Sequence, residues 1–378
     1  MRGVFFKVFA GVALCLITAV TAYSSLSGAG LYDYGSFILA GQASEKGLDP
    51  YGVHEGLVEE SGLNLGFDDR PYSPNLNPPV SIYPFRLLAG ADPDVTRFGL
   101  RAVSAVVYVA ACLALMRAYP WQRRPLAVLW LIAGAGFWYT LWMGQIYVLL
   151  FGVGLGAWLL LEKGQNPVLA GVLIGVTVAV KPNFALWPLM LLLAGHGRPA
   201  LWAGITALLI SAVPFVIEGP SIYGQWLDAA RHYSRGAIAA NGSLVGSAAR
   251  LGFEPAGYAL AGVLTLAGAV YAWRLRPGPM EASAATLIVT LLAGPLTWLG
   301  YTLFALPVLM SRRWRGWELA VGATLVVPAG LTAAAGEVHL AGMLVLGGLV
   351  AGDAVRSRRT ESEVEPSRSP ALTVREAA

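Results

Sequence analysis

The residues that could carry chemistry are few and widely spaced in a strongly apolar chain. Asp33 stands between two tyrosines in LYDYGSFILAGQASEKGLDPYG. A carboxylate shielded beside Tyr32 and Tyr34 is a general-base candidate, and the alternative is a solvated or helix-capping Asp. Lys181 joins two short apolar runs in GVTVAVKPNFALWPLM. A lysine at the edge of apolar sequence is costly and points to a functional site. Pro182 opens the next helix, so helix N-terminal N–H groups, Asn183 and the ammonium together would suit an anion such as a lipid phosphate. The alternative is an interfacial lysine snorkelling to water. In NLNPPVSIYPFRLLAG, Pro78 and Pro79 stiffen the turn that presents Asn77. Arg86 there either snorkels from a structural elbow or meets a lipid phosphate. Gln145, in WMGQIYVLLFG, reads as an interhelical hydrogen-bonding amide. Asn241 and Ser243, in NGSLVGSAARL, read as helix caps, and they also spell a glycosylation sequon. The acidic pairs Asp68-Asp69 and Asp92-Pro93-Asp94 have no histidine near them, so no metal site is expected.

These residues are positioned by a membrane protein. Of 378 residues, 56% are hydrophobic and 13% charged, and the mean hydropathy of +0.60 excludes a water-soluble globule. Twelve apolar windows suit helical crossings, several of them (167–180, 183–194, 299–311) short enough to be tilted or broken around a buried site. The first, 4–23, is expected to be a retained helix rather than a cleaved signal peptide. Alternating the windows puts 17 of the 26 Lys and Arg residues on one side, which assigns both termini to the cytoplasm. The basic balance is then topological, and nucleic-acid binding is not expected. Cys15 and Cys112 both lie in apolar runs, where they imply neither a disulfide framework nor a metal site.

The expected architecture is a single all-α polytopic membrane domain over 1–352. It has outer loops at about 24–97, carrying short interfacial helices, and at 218–254. A charged, Pro- and Ser-containing tail over 353–378 is expected to be disordered in the cytoplasm. Because both long loops face outward, the chemistry is expected at the outer interface. No internal repeat is visible, which counts against a transporter.

In order and spacing, YDYGSFILAGQASEKGLDPYG, LNPPVSIYPFRLLAG, the block from MGQIYVLL to KPNFALWPLMLLL, NGSLVGSAARLG and GPLTWLGYTLFALP resemble glycosyltransferase family 87. The resemblance implies a GT-C fold of about 12 transmembrane helices and a polyprenyl-phosphate-sugar donor. It further implies a bacterial α-mannosyltransferase-like activity in the plasma (inner) membrane, with a lipid or glycan acceptor and no cofactor. Asp33 matches the family's base. Lys181 matches its KP lysine, with Asn183 and Arg86 expected at the donor phosphate. Gln145, Asn241 and Ser243 match substrate-site positions, to which Asn77 is added. One departure concerns Pro295-Leu296-Thr297-Trp298, after which many members carry a histidine. Here Leu299, Gly300 and Tyr301 follow, so that role is unfilled or passes to Tyr301. The rival readings are transfer of a pentose or a preassembled glycan, and a lipid-linked-sugar flippase without chemistry.

Overall fold

The computed structural model describes residues 2–27, 31–62, 74–122, 125–233, 237–313 and 335–364. It is all-helical, with no strand among the described residues. The N-terminal part contains α1 (Arg2–Ser27), α2 (Tyr32–Glu45), α3 (Glu55–Ser61), α4 (Ile82–Arg86), α5 (Pro93–Ala118), α6 (Pro125–Ala133) and α7 (Ala135–Met143). The middle holds α8 (Tyr147–Glu162), α9 (Pro167–Val180), α10 (Leu186–Leu193), α11 (Gly197–Glu218), α12 (Ser221–Tyr233) and α13 (Leu244–Arg250). The C-terminal part holds α14 (Glu254–Leu275), α15 (Pro279–Ala293), α16 (Leu306–Ser311) and α17 (Ala335–Val364).

Helix starts follow simple capping chemistry. Asp92 accepts from the N–H groups of Asp94 and Val95 at 2.9 and 3.1 Å, with Pro93 first in α5. Asn166 accepts from Leu169 N at 3.0 Å ahead of Pro167 in α9. A short side-chain acceptor satisfies an orphan helical N–H, and proline at the first position forfeits none. Asp92 is thus a cap, whereas Asp68 and Asp69 lie outside the described residues.

Five helical segments are long and apolar enough to cross a membrane: Gly11–Glu45, Pro93–Ala118, Gly197–Glu218, Glu254–Leu275 and Ala335–Gly352. Six shorter apolar helices accompany them, between Ala127 and Ser311. This is the count among the described residues where the sequence led to twelve windows; the window at 317–333 lies outside them. The two kinds sort by position. Exposed large aliphatic and aromatic side chains concentrate on α1, α5, α11 and α14, as in Val106, Leu208, Val216 and Val263. The short helices α8, α9, α10 and α15 instead supply the core, including Trp158, Ile174, Trp187 and Leu291. Long helices therefore face outward, and short ones are enclosed.

Close helix packing needs small residues. Gly171 and Gly175, one turn apart on α9, abut the backbone of Pro199 and Ala203 on α11; a Cβ at Gly175 would lie 2.6 Å from the Ala203 carbonyl oxygen. Such small-residue spacing lets helices approach until their backbones touch.

The segment from Tyr32, expected as a short interfacial helix, is helical and is buried within the protein along Tyr34–Gly41. Its middle, Phe37–Gly41, is a continuous apolar run, which suits an enclosed helix. It packs on α4 through Phe37 and Phe85, whose rings are 4.7 Å apart. A Cβ at Gly41 would lie 2.5 Å from the Phe85 carbonyl oxygen. The C-terminal helix α17 runs through Val364, past the start of the expected tail, and 365–378 lie outside the described residues.

Gly41→Ala is expected to push α2 away from α4 and cost about 1–3 kcal/mol of stability. A lowered thermal unfolding midpoint in detergent checks this, and an unchanged midpoint refutes the close packing.

Candidate active site

A buried ammonium and a half-buried carboxylate lie within electrostatic reach of one another inside the bundle. Proline at 182 disfavours helical geometry in the residue before it, so α9 stops and Lys181 turns extended, with φ −139° and ψ 90°. Its side chain points inward and is 9% exposed. The ammonium donates to the Tyr147 hydroxyl at 3.4 Å. It also lies 4.8 Å from the Tyr147 ring centre and 5.6 Å from that of Tyr301. A cation over aromatic faces is attracted by the ring quadrupole, which offsets part of its lost hydration. Tyr147 opens α8, and Tyr301 lies on a 3₁₀ segment, Leu299–Ala305. Their rings are 4.7 Å apart.

Asp33 occupies the first turn of α2, where the helix dipole favours a carboxylate. It accepts a hydrogen bond from Gln145 Nε2 and lies within electrostatic reach of Lys181. The turn that delivers Gln145 depends on Gly144, which ends α7 with φ +68°. A Cβ there would lie 2.5 Å from the Tyr34 Cβ. Both backbone sign and space demand glycine beside the carboxylate. Gln145 is 6% exposed, and its carbonyl oxygen Oε1 has no hydrogen-bond partner.

Asn183 and Asn241 grip the same loop. Asn183 Nδ2 donates to the Leu296 carbonyl at 3.3 Å. Asn241 Nδ2 donates to the Pro295 carbonyl at 3.0 Å, while its Oδ1 accepts from Thr297 N at 2.9 Å and Ser243 N at 3.3 Å. Gly242 N adds a bond to the Thr297 carbonyl at 2.8 Å. Ser243 caps α13 by accepting from Gly246 N at 3.0 Å. These residues clamp 295–298, the stretch that leads into Tyr301. Arg250 braces the same turn, donating to the Asn241 carbonyl at 3.0 Å and pairing with Glu337 of α17.

Asn77 is buried beside Asn75, whose Oδ1 accepts from Asn77 Nδ2 at 2.8 Å, and Asn77 Oδ1 is left without a partner. The Tyr51 hydroxyl donates to the Asn77 carbonyl at 2.9 Å. Burial pushes that phenol well above its ordinary range, so it stays a donor. Arg86 lies apart from Lys181. It is 39% exposed and donates to Glu218 at 3.1 Å at the end of α11, with Ser44 at 3.5 Å.

Thus Asp33, Gln145, Lys181 and Tyr301 converge, Asn183, Asn241 and Ser243 support the wall, and Arg86 stands at a half-exposed rim. Sequence reasoning missed Tyr147, although its place two residues after a buried amide was a usable signal. No three His, Cys, Asp or Glu side chains cluster as metal ligands among the described residues.

Long apolar helices around a half-buried acid and a buried ammonium make this a membrane protein with charged groups inside its helical bundle. The model of glycosyltransferase family 87 matches residues 75–300, more than half of the chain. The protein belongs to that family and is a membrane glycosyltransferase. No curated protein and no solved structure matches the chain. The matched stretch holds Asn77, Arg86, Gln145, Lys181, Asn183, Asn241 and Ser243; Asp33 precedes it and Tyr301 is the next residue after it.

Asn241→Ala removes three hydrogen bonds from a fully buried amide. The expected loss of stability is about 2–4 kcal/mol, read as a lowered unfolding midpoint. An unchanged midpoint would show that the clamp does not hold the 295–298 loop.

Proposed function

We propose that the protein transfers a hexose, mannose first among candidates, from a polyprenyl-phosphate sugar to a lipid or glycan hydroxyl, with inversion. The fold in this reading is GT-C, with about twelve crossings, the enclosed short helices being tilted or broken ones. The membrane is the plasma membrane, with both termini cytoplasmic and the site opening to the outer face. What carries the reading is one half-buried carboxylate within electrostatic reach of one buried ammonium inside a membrane glycosyltransferase.

The chemistry needs little more. Asp33 takes the proton from the acceptor hydroxyl as its oxygen attacks the anomeric carbon. The bond from that carbon to the phosphate oxygen breaks, and its electron pair leaves on the polyprenyl phosphate. The donor is a phosphodiester monoanion and the product a monoester that gains a second negative charge. No general acid is required at that leaving group, unlike the paired carboxylates of glycoside hydrolysis. Lys181 stabilises the developing charge, with Asn183 beside it. Lys181 thereby supplies the positive charge that a metal supplies elsewhere, so no cofactor enters.

The buried oxygens Gln145 Oε1 and Asn77 Oδ1 lack donors, and sugar hydroxyls would supply them. Tyr301 lines the phosphate side through its ring. Asn241 and Ser243 shape the substrate wall from behind, and Arg86 receives the donor phosphate at the rim by exchanging Glu218 for it.

With polyprenyl-phosphate mannose and a candidate acceptor, Asp33→Asn is expected to lower kcat by about 10²–10⁴-fold; full turnover sinks the base assignment. Lys181→Met is expected to cost about 10²-fold in kcat, and chelation with EDTA is expected to leave the wild-type rate unchanged. A rate abolished by EDTA and restored by a divalent cation would refute the metal-free reading.

A further inference from the structure

One arginine joins the two segments that bring Asp33 and Gln145 together. Arg101, on α5, is half-buried. Its Nε donates to the Leu141 carbonyl at 3.0 Å and its Nη2 to the Ser25 carbonyl at 3.2 Å. Leu141 lies in the last turn of α7, just ahead of Gln145. Ser25 lies in the last turn of α1, the helix that precedes Asp33. The two acceptors are 40 and 76 residues from Arg101 along the chain.

The break at Gly144 accounts for the first bond. In an unbroken helix the Gln145 N–H would donate to the Leu141 carbonyl. Here it donates to the Thr140 carbonyl at 2.9 Å, which leaves the Leu141 carbonyl to a side chain. The last carbonyls of a helix have no partners within it, and in a bilayer water does not replace them. A cation at that end also suits the helix dipole. An arginine in a membrane helix ordinarily sends its charged head out toward water. Arg101 instead turns inward, to two helix ends at once. A guanidinium can do this because its N–H groups stand in a rigid planar fork, which an ammonium lacks. Ser25 is only 4% exposed, so the end of α1 is packed against the protein where Arg101 holds it.

Tyr108, farther along α5, does similar work at the preceding break. Its hydroxyl donates to the Leu131 carbonyl at 2.6 Å, near the end of α6. That helix end leads into Gly134 and to no residue of the site. The same helix thus braces two breaks, one beside the carboxylate and one away from it.

We infer that Arg101 is a positioning residue for the transfer: by joining the ends of α1 and α7 it sets where Gln145 meets the Asp33 carboxylate. This rests on the reading of Asp33 as base. Arg101 itself makes no contact with Asp33 or Gln145; it acts through the two backbone segments that carry them.

The test uses the full chain with polyprenyl-phosphate mannose as donor and octyl α-mannopyranoside as the acceptor probe. Arg101→Lys keeps the charge and loses the fork, and Arg101→Gln loses both. Each is expected to lower kcat by about 10–10²-fold while the donor KM moves by less than about twofold. Arg101→Lys, the milder change, carries the test if Arg101→Gln does not fold. Tyr108→Phe is the control: it is expected to lower the unfolding midpoint and leave kcat within about twofold. Combined with Gln145→Ala, Arg101→Lys is expected to cost less than the product of the two single effects, because both act on one contact. A merely structural Arg101 predicts multiplying effects. Hydrogen exchange without substrate is expected to rise in Arg101→Lys at 21–27 and 140–147 and to stay unchanged along α9 and α11.

A wild-type kcat in Arg101→Lys, multiplying effects, or an equal loss of kcat in Tyr108→Phe would overturn the inference and leave Asp33 as base. Unchanged exchange at both segments would overturn it as well. Full turnover by Asp33→Asn would instead overturn the base reading. Exchange raised at the two segments, with kcat lowered in Arg101→Lys, would in that case still uphold Arg101 as the residue that positions them.

Discussion

The constraint on which the rest depends is the burial of the Lys181 ammonium. A positive charge inside an apolar bundle is tolerated only when its lost hydration is replaced. Three groups do that here: the Tyr147 hydroxyl, the paired faces of Tyr147 and Tyr301, and the attraction of Asp33. They arrive from three separate parts of the chain: the start of α8, the 3₁₀ segment after Trp298, and the start of α2. The bundle must therefore hold these three elements at once, and its tightest approaches serve that end. Gly171 and Gly175 fix α9, whose end is Lys181. Gly144 packs against Tyr34 and delivers Gln145 to Asp33.

A second layer stabilises the first. Tyr301 reaches the lysine from a segment without regular α-helix, which neighbouring backbone alone would not hold. Asn241 and Asn183 clamp the preceding loop from two directions, and Arg250 with Glu337 ties that clamp to α17. Side-chain amides suit this task, since each offers a donor and an acceptor to exposed backbone groups. The site is thus braced on the side of Lys181 and Tyr301, while half-buried aromatics flank the carboxylate.

The division between long outer helices and short inner ones gives the membrane location a mechanical meaning. Helices that face lipid must satisfy every backbone group internally, so they run long and regular. Enclosed helices can stop early, because neighbours satisfy their ends. Breaks at Gly144 and Pro182 place the polar side chains of Gln145 and Lys181 where a continuous helix would place apolar ones.

Much of this was legible in the sequence. Composition alone specified a helical membrane protein, because apolar runs of that number and length have no other solution in water or lipid. Lys181 and Asp33 stood out as ionisable groups in apolar surroundings, and Pro182 announced the break at Lys181. Tertiary structure decided what one-dimensional patterns do not encode. It enclosed α2 among its neighbours, since a helix takes its environment from what packs around it. It turned Asn241 toward the backbone of the remote 295–297 stretch, and it paired Arg86 with Glu218, 132 residues away. Hydrophobicity is a property of each residue and survives in the sequence. The partner of a polar group is a property of distance, and distances between remote segments exist only once the chain has folded.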